Sequence, residues 1–304
     1  MVSAEALQVE QMIRDNMGPI FKGEKQLTIE ELRKMLDDAG SLYPLPEGVT
    51  VEMLTVADNI PAEWVSGTGA TDDKVILYLH GGAYTLGSCK SHRDLAARLS
   101  IASGARVLLI EYRLAPENPF PAGLKDSVAA YRWLLDNGYQ PGNIVVGGDS
   151  AGGGMTMAVL VSIRDAGLPN PASALLLSPW VDLAATAESY ETRASLDPMI
   201  GRDAIPPLVG MYIGDKDPRD VPLASPLYAE LHGLPPLKIQ VGDHEVLLGE
   251  ALQLAEKAKA AGVEVDIKVW DGMWHVFQQN ASIVPEAQAA VNELGEWAKG
   301  KFQN

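Results

Sequence analysis

The sequence predicts an α/β fold, with a mostly parallel central sheet covered by helices on both faces and an amino-terminal helical cap. Three observations carry this expectation. Short apolar runs alternate with helix-length stretches over most of the 304 residues, the rhythm of strands joined by crossover helices. Two of the runs, Val145-Val146 and Leu175-Leu176-Leu177, are continuously apolar, as strands covered on both faces are. A hydrophobic content of 47% without low-complexity tracts supplies a large core and excludes a disordered chain.

In chain order, Leu7, Met12, Ile13 and Met17 recur at mixed helical spacings. Thr28-Ile29-Glu30-Glu31 then reads as a capping box, opening a helix with Ile29, Leu32 and Leu36 on one face. Gly40, Pro44 and Pro46 close this region, so residues 1–45 are expected to form a cap segment and residues 46–304 one large domain. Residues 49–56 and 62–65 have strand content with turn residues between them and predict an antiparallel edge. Parallel strands are expected at 74–79, 105–112, 143–146, 174–177, 237–241 and 265–270. Covering helices are expected at 95–102, 124–137, 153–165, 250–261 and 285–299. The stretch 184–222 breaks the rhythm with Pro and Gly and reads as an insertion at the ligand end of the sheet, forming a cap with the amino-terminal helices.

Charge and cysteine usage bound the partners. With 24 Lys and Arg against 40 Asp and Glu, the formal charge of -16 repels phosphate backbones and anionic lipid, so nucleic acid is excluded as a partner. Cys89 is the only cysteine; an intrachain disulfide is impossible, and nothing suggests a thiolate metal cluster. The first seventeen residues scatter Glu5, Glu10, Arg14 and Asp15 among apolar positions, unlike a secretory leader. No stretch of eighteen uncharged apolar residues occurs, so no stable membrane insertion is expected and the location is read as cytoplasmic.

Chemistry enters at Gly148-Asp149-Ser150-Ala151-Gly152, a Gly-x-Ser-x-Gly turn between an apolar strand and a helix. Flanking glycines allow a sharp turn that projects the Ser150 hydroxyl above the sheet, the placement of a nucleophile. Upstream, His80-Gly81-Gly82-Ala83-Tyr84 follows another strand. Its small residues let backbone N–H groups approach a substrate oxygen, so Gly81, Gly82 and Ala151 are the expected oxyanion donors. Where a serine is presented this way, the acid and then the base follow it in the chain. That order excludes His80 and His92. His232 leaves little room for an intervening acid loop and His244 occupies the acid's place, so His275 is the expected base.

These motifs resemble the bacterial hormone-sensitive lipase family of the α/β-hydrolase fold. The resemblance rests on His80-Gly81-Gly82, on the segment from Tyr112 to Ala122, and on Gly148-Asp149-Ser150-Ala151-Gly152-Gly153. It continues through Ser178-Pro179-Trp180-Val181-Asp182-Leu183, Asp197-Pro198-Met199 and the His275 segment. It implies a cofactor-free serine carboxylesterase acting on short or medium acyl esters beneath an amino-terminal cap, and a homodimer paired along strand 265–270. Counting back from the helix that ends near Gly262, the family's acid position falls on Glu245, with Asp243 the alternative. Ala83 stands where the family has a third glycine, which implies weaker acceptance of bulky tertiary-alcohol esters. Tyr84, Trp180, Met199 and Ile200 are candidates for the substrate pocket. Two other readings remain open: an amidase or acyltransferase using the same residues, since an acyl-enzyme does not dictate its acceptor, and a non-catalytic small-molecule receptor of the same fold. Retention of Ser150 and His275 argues against the receptor.

Overall fold

A computed structural model describes residues 2–42 and 44–303. The chain opens with α1 (Ala4–Asn16), the single turn α2 (Gly18–Phe21) and α3 (Ile29–Ala39). Ser3 caps α1, its hydroxyl accepting from the Ala6 N–H. At α3 the Thr28 side chain accepts from the Glu31 N–H while the Glu31 carboxylate takes the Thr28 N–H, the reciprocal box legible in the sequence. The rest runs β1 (Thr50–Val56), β2 (Ile60–Ser66), β3 (Thr71–Leu79), α4 (Cys89–Ser103), β4 (Ala105–Ile110), α5 (Ala122–Asp136), β5 (Ile144–Asp149) and α6 (Ala151–Asp165). It continues through β6 (Ser173–Leu177), the single turn α7 (Ser189–Thr192), α8 (Ile205–Ile213), β7 (Leu237–Gly242), α9 (Leu248–Ala260), β8 (Val265–Trp270) and α10 (Pro285–Lys301).

The strands make one sheet in the order β1-β2-β4-β3-β5-β6-β7-β8. β1 and β2 are antiparallel to their neighbours, and every pairing from β4 to β8 is parallel. Alternate residues of one strand serve opposite faces, as the two-residue period of a strand requires. Val75, Leu77 and Leu79 join α5 and α6 in one core, whereas Ile76 and Tyr78 join α4, α10 and α1 in another. A third cluster packs α9 against β6 and β7. Among the described residues no helix is long and apolar enough to cross a membrane.

Most strand ends lie one to three residues from expectation, and the shifts at the ends of β4 and β5 have a plain physical cause. β4 ends at Ile110, and beyond it Tyr112 turns away: its ring stacks on His80 with centroids 4.3 Å apart, and its hydroxyl donates to the His80 carbonyl at 2.6 Å. β5 runs on through Gly147, Gly148 and Asp149 because β3 and β6 pair with it there. Glycine lowers strand propensity, but a central strand held on both sides overrides that preference.

α9 carries a buried carboxylate, Glu250, which accepts from the Val181 and Asp182 N–H groups at 2.6 and 3.1 Å and from the Tyr190 hydroxyl at 2.8 Å. Burial pushes its pKa up to about 8, with the Asp182 charge adding, against the lowering effect of those hydrogen bonds. The folded state therefore binds this proton more tightly than the unfolded chain. The resulting stabilisation is full below the ordinary value of 4.5 and is lost as pH rises through about 8. Glu250→Gln is expected to flatten the decline in stability between pH 5 and pH 9 by roughly 3–5 kcal/mol. Thermal unfolding of both proteins across that range checks it; parallel curves would count against a neutral Glu250.

Candidate active site

Ser150 sits between β5 and α6 with φ 52° and ψ -121°, outside the comfortable region for an L-residue. Its N–H donates to the Leu177 carbonyl and its carbonyl accepts from the Trp180 N–H, both at 2.9 Å, so the turn is held from β6. The flanking glycines are required by close approach. A Cβ on Gly148 would lie 2.4 Å from the carbonyl oxygens of Leu79 and Gly152, and one on Gly152 would lie 1.9 Å from the Leu79 oxygen. With its neighbours so constrained, the Ser150 side chain is left partly exposed at the amino end of α6, where the helix dipole favours negative charge.

His275 lies in the loop after β8. Its Nδ1 faces Glu245 Oε2 at 2.8 Å, and both side chains are buried. A carboxylate only accepts, so Nδ1 carries the proton and Nε2 is left with its lone pair. Burial lowers the His275 pKa, but the hydrogen bond and charge of Glu245, with Asp197 and Asp149 adding, outweigh it and the net direction is upward. Among the described residues no hydrogen bond joins Ser150 Oγ to His275. The two loops are nevertheless linked through β6. Ser150 is bonded to Leu177, and the next residue, Ser178, donates from Oγ to Glu245 Oε1 at 2.6 Å and accepts the Val276 N–H at 3.1 Å.

The two candidate acids occupy different places. Glu245 is fully buried and also accepts the Gly242 N–H at 2.6 Å. Asp243 is turned toward Gly272, whose N–H it accepts at 2.6 Å, and its side chain is 29% exposed. The structure brings Glu245, not Asp243, to the imidazole.

The glycine turn after β3 corrects one expectation. The Gly81 N–H is already committed to Asp149 Oδ1 at 3.1 Å and does not point toward a substrate. Asp149 takes the Tyr78 hydroxyl at 3.0 Å as well. Burial raises its pKa, yet the His92 charge and the hydrogen bonds from His92 and Tyr78 carry the net shift downward, so it stays ionised. Gly82 and Ala83 donate to no protein group among the described residues. Peptide planarity sets the direction of both N–H groups. The Gly81 carbonyl accepts from His80 Nδ1 at 2.8 Å, which turns the Gly82 N–H the opposite way. The Gly82 carbonyl accepts from the Thr85 and Leu86 N–H groups at 3.0 and 2.8 Å, which does the same for Ala83. His80 suits this task because burial, with the His92 charge, pushes its pKa down to about 3 and keeps it neutral.

A second correction concerns pocket residues. Tyr84 and Trp180 are only 2% and 3% exposed. Their rings lie 5.7 Å apart, and Tyr84 stacks face to face on Tyr212 of α8 at 3.8 Å. They are core packing. Met199 and Ile200 are half-buried, each donating its N–H to Asp197 Oδ1, at 2.9 and 2.8 Å. Asp197 itself was visible in the sequence only within a motif. Its Oδ2 accepts the Val246 N–H at 3.0 Å, tying the 197–200 stretch to the loop that carries Glu245.

Over residues 76–279 the chain matches the profile of a family described as alpha/beta hydrolase fold. It is 42% identical over 252 residues to an acetyl-hydrolase of Streptomyces hygroscopicus, spanning 83% of this chain and 84% of that one. It is 35% identical over 283 residues to the putative acetyl-hydrolase LipR of Mycobacterium tuberculosis, spanning 93% and 90%. A crystal structure of an esterase from the bacterial hormone-sensitive lipase family superposes with a TM-score of 0.94 at 45% identity over the whole of both chains. The chain belongs to the bacterial hormone-sensitive lipase family and is a carboxylic ester hydrolase.

Proposed function

We propose that this esterase works by acyl transfer to Ser150, with His275 as general base and Glu245 as the acid that orients it. The observation that carries the reading is the buried 2.8 Å contact between Glu245 and His275 Nδ1, which leaves Nε2 as the proton acceptor. Ser150 Oγ attacks the ester carbonyl as His275 Nε2 takes its proton, and the same proton is delivered to the departing alcohol. Water then attacks the acyl-enzyme by the same route and releases the acid and Ser150. The tetrahedral oxyanion is met by the N–H groups of Gly82, Ala83 and Ala151, donors that act on charge developed only in the transition state. The imidazole must be neutral to act, so turnover rises with pH through the raised His275 value.

Short and medium acyl chains are the proposed substrates, with Met199 and Ile200 on the pocket wall. Ala83, whose φ is 53°, carries a methyl where the family has glycine, and this methyl is proposed to narrow the space for branched leaving groups. A panel of p-nitrophenyl esters graded from acetate to palmitate tests the class, with ethyl and tert-butyl acetate beside it. Turnover is expected to peak at eight carbons or fewer, and tert-butyl acetate is expected to be the poorer of the two acetates. A maximum at the longest chains would overturn the substrate class, and equal acetate rates would overturn the role given to Ala83. The reading also includes a cytoplasmic location and a homodimer through β8, the outermost strand at its end of the sheet.

A further inference from the structure

We infer that Arg33, on the cap helix α3, is a positioning residue that holds the Gly82–Ala83 turn in its oxyanion-binding shape; this rests on the acyl-transfer reading above. α3 presents Ile29, Leu32 and Leu36 on one face, yet none of its residues is fully buried. Its attachment to the catalytic domain is notably polar. Arg33 Nε donates to the Thr85 carbonyl at 2.9 Å and Nη2 to the Ala115 carbonyl at 3.1 Å. Nη1 and Nη2 each reach a Glu117 carboxylate oxygen at 2.8 Å. One turn further on, Asp37 accepts from the Ser88 hydroxyl at 2.5 Å. The helix therefore grips both ends of the 85–88 stretch that follows the turn.

The turn needs that grip. Gly82, Ala83 and Tyr84 all have positive φ, at 115°, 53° and 61°. Two of the three are L-residues in a conformation that persists only where the surroundings over-determine it. From within, the Gly82 carbonyl is held by Thr85 and Leu86, and the Tyr84 carbonyl accepts the Ala115 N–H at 2.9 Å. From outside, a single guanidinium joins the Thr85 carbonyl to the Ala115 carbonyl, clamping the turn against the segment that follows β4. A planar fork satisfies both carbonyls at once, which a lysine ammonium on a flexible stem does not reproduce. Glu117 is the lesser partner. Its side chain is 51% exposed, and an ion pair so open to water contributes little.

Steady-state hydrolysis of p-nitrophenyl acetate by Arg33→Ala, Arg33→Lys and Glu117→Gln tests this, with inhibition by a trifluoromethyl ketone and thermal unfolding measured on the same samples. Arg33→Ala is expected to lower kcat by about 10-fold or more, since misplacing an oxyanion donor acts on the transition state. KM should stay within about 3-fold, and the ketone should weaken in step with kcat. Arg33→Lys should recover part of the loss, added guanidinium should restore Arg33→Ala, and Glu117→Gln should keep kcat within about 2-fold. An Arg33→Ala enzyme with full kcat or a change in KM alone overturns the inference, as does a Glu117→Gln enzyme that loses as much kcat. If Arg33→Ala does not fold, Arg33→Lys against Glu117→Gln decides the same comparison. Ser150-dependent turnover by the unaltered protein is the control: its absence overturns the acyl-transfer reading, whereas its presence beside an unaffected Arg33→Ala overturns this inference alone.

Discussion

Ser150→Ala is expected to lower kcat by about 10⁵–10⁶-fold, leaving a residual rate about 10³-fold above water from the oxyanion donors and substrate binding. The fold should tolerate the change. The bonds that hold the turn run from the Ser150 backbone to Leu177 and Trp180 and do not involve the hydroxyl, so stability should shift by no more than about 1 kcal/mol. Loss of covalent labelling by a serine-directed sulfonyl fluoride, with an unchanged melting curve, would locate the defect in chemistry. A variant that keeps a hundredth of the original turnover would remove Ser150 from the reaction.

Glu245→Gln is expected to cost about 10³–10⁴-fold in kcat, the scale seen when the carboxylate of such a triad becomes an amide. The reason lies in which atoms donate. One Glu245 oxygen accepts from Ser178 and Gly242, so a glutamine must place its own oxygen there. Its NH₂ then faces His275 Nδ1, which is forced to accept, and the imidazole proton moves to Nε2, where it blocks removal of the serine proton. Removing the carboxylate charge also lowers the His275 pKa, so the acid limb of the pH profile should move to lower pH. Asp243→Asn provides the contrast: an asparagine oxygen still accepts the Gly272 N–H, and activity should stay within about 3-fold. Equal losses in the two variants would overturn the assignment of the acid.

Much of this architecture is legible in the chain because its causes are local. The Thr28 to Glu31 box, the apolar runs of β5 and β6 and the glycines around Ser150 each depend on residues a few positions apart. The order of serine, acid and histidine is likewise a property of the chain, and it singles out His275 among five histidines. What the sequence conceals is through-space commitment. Gly81 reads as a free donor because its acceptor, Asp149, lies 68 positions away. Tyr84 reads as a pocket wall because Tyr212, which covers its ring, belongs to a distant helix. Counting along the chain favours Glu245 over Asp243, but their distinct surroundings emerge only when His275 and Gly272 arrive from the next loop. Arg33 gave no signal at all, since its partners at Thr85, Ala115 and Glu117 lie 52 to 84 positions further on.

Gly148 and Gly152 leave no room for even a methyl group between the Ser150 turn and the end of β3. Mutational tolerance in this enzyme is therefore steeply graded. The innermost ring is frozen by geometry, so altered substrate range is expected to arise instead in α1 to α3 and in the 184–222 stretch, which lie outside that ring. A directed-evolution library confined to those two regions should yield altered specificities at far higher frequency than one spread over the central strands.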